Sequence, residues 1–166
     1  MFRPLRRFRQ LMPENEAYDM LSSASTGVLA LSGDDGYPYA VPVNFVLDGE
    51  KIYIHGAKAG HKMDSVRKYD KASFCVVGED TVVPERFTTH YRSVICFGRV
   101  REVRDDETKL RAVIALADKY SPGMPEERDR EIEREWPGLG VIEFTIEHIT
   151  AKESTELMEE RIKNGK

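Results

Sequence analysis

The chain has two cysteines, one tryptophan and no long apolar run, and each shortage excludes something. Cys75 and Cys96 lie inside apolar stretches, SFCVV and SVICFG, where a free thiol behaves as a small hydrophobe. Their even count permits a disulfide, but nothing else in the sequence indicates an oxidising compartment. There is no CxxC and no HExxH, and the four histidines form no helical pair, so no metal site is expected. No stretch approaches the ~20 apolar residues of a membrane span. The N-terminal MFRPLRRFRQ carries Arg3, Arg6, Arg7 and Arg9 but no apolar centre, which is not the pattern of a secretory signal. The expectation is a cytoplasmic protein without membrane contact. A net charge of −4 lacks the basic excess of a nucleic-acid binder, so no nucleic-acid partner is expected. The basic arm, residues 1–12, is read as a segment folded over the protein body or over a partner subunit. Rossmann fingerprint, internal repeat and low-complexity segment are all missing.

What is present suits one domain spanning residues 1–166, with 40% apolar residues to build a core. A short helix opens at Pro13-Glu14 and runs to about Ser23, with Ala17, Met20 and Leu21 inward. Thr26 to Leu31 reads as a strand, and Asp35-Gly36 as a turn tip. Tyr39, Val41 and Val43 alternate with Ala40, Pro42 and Asn44; Asp48-Gly49 supplies a hairpin turn, and Lys51 to His55 returns. A helix over His61 to Tyr69, with Met63 and Val66 inward, precedes a strand over Lys71 to Val77. Gly78 to His90 lacks periodicity and reads as a functional-length loop. Tyr91 to Arg104 is a long strand with a bulge or bend at Gly98. Asp105-Asp106-Glu107 caps a helix carrying Leu110, Val113, Ile114, Ala117 and Tyr120. Glu126 to Trp136 is a charged helix or ordered excursion, anchored by Trp136. Val141 to Ile146 is the last strand, and 154–166 a polar tail frayed after about Thr155. Six strands with tight hairpins and no βαβ alternation predict a mainly β, α+β fold: an antiparallel sheet or barrel with attached helices.

The segment from Tyr37 to Lys62 carries the strongest functional signal. After the return strand the chain turns small and basic: Gly56, Ala57, Ala59 and Gly60, with Lys58, His61 and Lys62. Small residues allow close backbone approach, and a basic helix start attracts a phosphate. The competing reading is a solvated helix start with surface lysines.

VPVNF, IYIHGAKAGHK and HYRSVICFGRV, in this order and spacing, resemble the flavin-binding split barrels of the pyridoxamine-phosphate oxidase-like superfamily, and within it the nitroimidazole-resistance (Nim-type) branch, over roughly Glu14 to Glu153. The resemblance implies a six-stranded antiparallel split barrel of the FMN-binding type. It implies FMN, with FAD as the alternative, and a homodimer with flavin at the subunit interface. Pro42, Val43, Asn44 and Phe45 would then lie along the isoalloxazine, with Gly56, Ala57, Lys58, His61 and Lys62 at the terminal phosphate. His61 stands where arginine or lysine is also common in such proteins, which ties the site's charge to pH. Arg92 and Ser93 would reach the flavin bound mainly by the other subunit, or be polar groups at a strand start. His55 has two readings: a catalytic or hydrogen-bonding group at the flavin, or a structural histidine bonded to a loop carbonyl.

The implied activity is reduction of a small electron-poor substrate, with nitroimidazoles as the type case. Pyridoxamine-phosphate oxidase activity itself is one rival, and it would need a second basic set for the substrate phosphate. A non-enzymatic flavin or haem binder is another. An RNA-binding barrel is a third, weakened by the absence of interleaved aromatic and basic strand residues.

Overall fold

In the computed structural model, residues 2–164 are described. Met1 of the arm and Gly165 and Lys166 of the tail lie outside them. The strands are β1 (Gly27–Ser32), β2 (Pro38–Val43), β3 (Val46–Asp48), β4 (Lys51–Ala57), β5 (Lys71–Val83), β6 (Thr88–Glu102) and β7 (Leu139–Glu153). The helices are α1 (Glu14–Ser23), α2 (His61–Lys68), α3 (Asp106–Tyr120), α4 (Pro125–Glu135) and α5 (Thr155–Lys163).

The strands form one antiparallel sheet in the order β2-β1-β5-β6-β7-β4-β3. Consecutive strands β2 and β3 sit on opposite edges, with only Asn44 and Phe45 between them. The edges must therefore approach each other, and the sheet curls into a half-barrel. This is the expected α+β split barrel with seven strands where six were predicted. The extra strand arises because the run expected to continue past Val43 leaves one edge and joins the other. Pro42, which has no N–H to offer, falls on edge strand β2, where none is required. The crossing is tied down by Asn44 Nδ2 donating to Ser25 O at 2.8 Å and by Phe45 N–H donating to the Tyr120 hydroxyl at 2.9 Å. The β3–β4 hairpin turns at Gly49, φ +59°, with Asp48 opposite Lys51.

Leu29, Phe45, Ile52, Ile54, Phe74 and Phe144 fill the barrel interior, with the Phe45 and Phe74 rings edge to face at 4.8 Å. α1 closes one side with Ala17 and Leu21. A second cluster covers the outer face of β4 and β7: Tyr53 and Val141 pack against Val103 and the α3 residues Ala112 and Val113. Ile132 and Trp136 pin the charged α4 onto this cluster.

Two expectations are corrected, and the free-thiol reading of the cysteines holds. Gly78 to His90 is not a loop: β5 and β6 continue as a hairpin paired from Glu79–Arg92 to Val83–Thr88. Most of this arm is exposed or only half-buried, so no period-two burial pattern marks it. The tail is not frayed from Thr155: β7 runs to Glu153, and Ser154 caps α5 by accepting from Leu157 N–H at 3.4 Å. The two cysteines cannot pair. Phe74 lies opposite Cys96 across the ladder, so Cys75 points to the other face, and burial pushes the Cys96 thiol up to about 12. The bulge at Gly98 stands where expected, and a Cβ there would fall 2.0 Å from the Thr145 carbonyl oxygen. Among the described residues no helix is long and apolar enough to cross a membrane.

Candidate functional site

β4 alternates: Ile52 and Ile54 enter the barrel, while Tyr53, His55 and Ala57 face α3. Beyond Tyr53 a cleft of about 600 Å³ opens between β4, α3 and α4. Its volume lies within the roughly 300–1,000 Å³ of small-molecule sites. The strand side supplies Asn44, His55, Gly56 and Ala57; α3 supplies Val113, Leu116, Ala117 and Tyr120; α4 supplies Ile132, Glu131 and Glu135. One wall is apolar, and the charged groups on the opposite rim are carboxylates.

The start of α2 packs on the other face of β4, the face that Gly56 shares with Ile52 and Ile54. Its N-cap is Gly60, at φ +108°, with no side-chain cap bond, whereas α3 is capped by Asp105 accepting from Thr108 N–H at 2.8 Å. The first-turn N–H groups of α2 thus lack a side-chain acceptor. Lys62, in that turn, runs back over β4: a Cβ at Gly56 would lie 3.0 Å from its Nζ. The ammonium is half-buried, and desolvation lowers its pKa with no carboxylate to offset the effect. His55 is open to the cleft, yet partial desolvation, followed by the Lys62 charge, lowers its pKa as well. Orphan N–H groups beside an uncompensated cation are the chemistry of an anion site.

The predicted residues divide into five groups. Asn44, His55, Gly56 and Ala57 line the cleft, with Lys62 beside Gly56. Lys58 is fixed by its backbone, N–H donating to Gly138 O at 3.0 Å and C=O accepting from Arg67 at 2.9 Å, and its side chain borders a separate pocket. His61 turns toward the β1–β2 connection, where its ring stacks on Tyr39 at 4.1 Å and Nε2 stands 3.7 Å from Asp34. Pro42 is exposed on the edge strand, while the side chains of Val43 and Phe45 are committed to the core. Phe45 also spends its backbone inside the chain, its carbonyl accepting from Lys119 Nζ at 3.0 Å. Of VPVNF, only Asn44 reaches the cleft.

Arg92 is held between Glu79 at 3.6 Å and the buried Glu153 at 3.3 Å, and Ser93 pairs with Lys152. They lie at the opposite end of β7 from Val141, which pairs with His55. At ~3.3 Å per residue, a straight strand puts roughly 40 Å between Val141 and Glu153. A single chain does not bring Arg92 and Ser93 to the cleft. Sequence reasoning missed the α3 and α4 walls. Tyr120 was visible only as a member of an apolar stripe, although its hydroxyl also hydrogen-bonds Ser25 O at 2.7 Å, and Glu131 and Glu135 were lost in a uniformly charged run.

The fold recurs in known proteins. A conserved hypothetical protein from Mycobacterium tuberculosis superposes with a TM-score of 0.80 at 19% identity, covering 93% of this chain and 92% of that one. An FAD and haem binding protein from Mycobacterium smegmatis gives 0.72 at 22% identity, covering 88% and 74%. A candidate 5-nitroimidazole antibiotic resistance protein from Bacteroides thetaiotaomicron gives 0.69 at 18% identity, covering 86% and 85%. At these identities the likeness establishes the fold. No curated protein matches the chain. The family model described as pyridoxamine 5'-phosphate oxidase matches residues 13–153, and the chain belongs to that family.

Proposed function

We propose that this protein is a flavin-dependent oxidoreductase of the nitroimidazole-resistance type, reducing a small electron-poor substrate, with FMN as cofactor and a homodimer as the working unit. The observation that carries the reading is the half-buried, uncompensated Lys62 at the uncapped start of α2, which meets at Gly56 the strand that walls a cleft of cofactor size. Lys62 and the first-turn N–H groups would hold the flavin phosphate. Asn44 and the β4 segment from His55 to Ala57 would border the ring, and Val113, Leu116 and Ala117 would exclude water. A bound flavin supplies the electron transfer. His55, biased toward its neutral form, can accept or donate a proton at the cleft wall.

The similarity to a candidate nitroimidazole-resistance protein supports the substrate class, and that to an FAD and haem binder supports a redox cofactor. Oxidation of pyridoxamine phosphate fits less well, because the charged lining of the cleft is Glu131 and Glu135, which repel a substrate phosphate. The dimer is supported by the distance between His55 and Arg92, since both segments can face one flavin only if a second copy supplies one of them.

The test is to titrate purified protein with FMN and follow anaerobic reduction of a nitroimidazole with a nicotinamide donor by absorbance. Saturable flavin binding with loss of the nitro chromophore is expected. A Soret band from tightly held haem with no flavin binding, or bound flavin that never passes electrons to the nitro compound, would overturn the reading.

A further inference from the structure

A second pocket of about 370 Å³ lies across the Gly138 backbone from the cleft, and Leu139 borders both. Lys109, on the first turn of α3, forms part of its wall and is only 7% exposed. Its Nζ donates to the Trp136 carbonyl at 3.2 Å and lies 4.0 Å above the indole ring. No carboxylate forms an ion pair with it among the described residues. A buried ammonium held only by a carbonyl and a π face keeps part of its desolvation cost. Lys58 and Arg104 add two more cations to the rim. Of the two rim carboxylates, Glu102 is already claimed by Arg67, at 3.0 and 2.7 Å, and by Arg104 at 3.6 Å; Asp106 is the other.

We infer that this pocket is a second anion site, which takes a phosphate group through Lys109 with Lys58 and Arg104 at its mouth. Lys58 follows Ala57 of the cleft directly and Leu139 borders both cavities, so the pocket lies next to the cleft. Two sources share this chemistry: the second phosphate of FAD, or the 2′-phosphate of an NADPH donor. Both rest on flavin occupying the cleft; binding of a free diphosphate does not.

The experiment therefore has three arms, each run on the wild-type chain and on Lys109→Met, which keeps the length of the stem and removes its charge. Calorimetry of inorganic pyrophosphate on the flavin-free protein, in a Lys62→Met background that removes the first anion site, tests the pocket alone, with roughly tenfold weaker binding expected for the variant. In flavin titrations, FAD should lose about tenfold in affinity while FMN is unmoved, if FAD is the source. If the donor is the source, the KM for NADPH should rise in the variant and that for NADH should not. Should Lys109→Met fail to fold, the charge reversal Arg104→Glu at the exposed rim replaces it in every arm. Pyrophosphate that binds neither form, or binds both equally, overturns the site. If pyrophosphate binds but flavin does not, the function proposed above fails and the anion site stands.

Discussion

Lys62 is costly to the empty protein and useful to a filled one. Its ammonium is half-buried without a counter-ion, so at neutral pH part of its charge is carried against desolvation. Lys62→Met should raise the thermal midpoint of the flavin-free protein and weaken FMN binding tenfold or more, the fold-change expected for a charge-assisted phosphate contact. Lys68→Ala is the control, since Lys68 lies in the last turn of the same helix, exposed, with Asp34 at 3.8 Å as its partner. Fluorescence titration of FMN reads the affinities, and equal losses in both variants would place the phosphate elsewhere. His55 gives a second handle. Its folded pKa lies below the ordinary ~6.5. The unfolded chain therefore takes up this proton first as pH falls, and stability drops as pH decreases through 6.5 toward the folded value; above about 7.5 the contribution is flat. His55→Gln should remove that portion of the acid-side slope in urea melts at pH 5.5 and 7.5, and an unchanged slope would show that other groups cause it.

At the scale of elements, α5 is the part whose role emerged only from packing. Its sequence offers few apolar anchors, and Leu157 alone is fully buried. Its main tie is ionic: Arg161, 12% exposed, donates to Glu153 at 2.6 Å, and the Glu153 side chain is 0% exposed. Arg161→Ala would leave that carboxylate to Arg92 alone. Breaking a buried pair in this way costs about 3–5 kcal/mol, less here because a second cation remains. A loss of about 2–3 kcal/mol in urea unfolding is expected. A value near zero would mean that α5 detaches and wets the carboxylate. The same contrast explains which elements were legible. Apolar periodicity marked β1, β4, α2 and α3, because each buries one face against the core. It failed for the outer β5–β6 hairpin and for α5, where neither face or a narrow stripe is buried. The break at Asn44–Phe45 left no local signal, since its cause is the curl of the whole sheet. In the site, the α2 start could be read from small and basic residues in a row, and His55 and Asn44 from the family resemblance of their segments. The α3 and α4 walls could not, because their lining depends on how two helices pack on β4.

For the molecule as a whole, the unfinished surface is the β5–β6 arm. Phe87 at its tip is 99% exposed, with Val82 at 66% and Val77 at 65%, a set of apolar side chains that one copy leaves in water. Arg92 and Ser93 lie at the root of this arm, far along β7 from the cleft. A two-fold dimer in which the arm of one copy reaches the cleft of the other would bury these side chains and complete two equivalent sites. Sedimentation should then show a dimer, and Phe87→Glu should shift it toward monomer and lower flavin affinity at the same protein concentration. Mixed subunits provide the decisive test. One copy carries Lys62→Ala and the other Ser93→Trp, each of which should weaken both sites in its own homodimer. In the mixed dimer one site receives both lesions and the other neither, so flavin binding should return at one site per dimer. Mixed dimers with no recovered site, or a monomer that binds flavin at full affinity, would show that each chain builds its site alone.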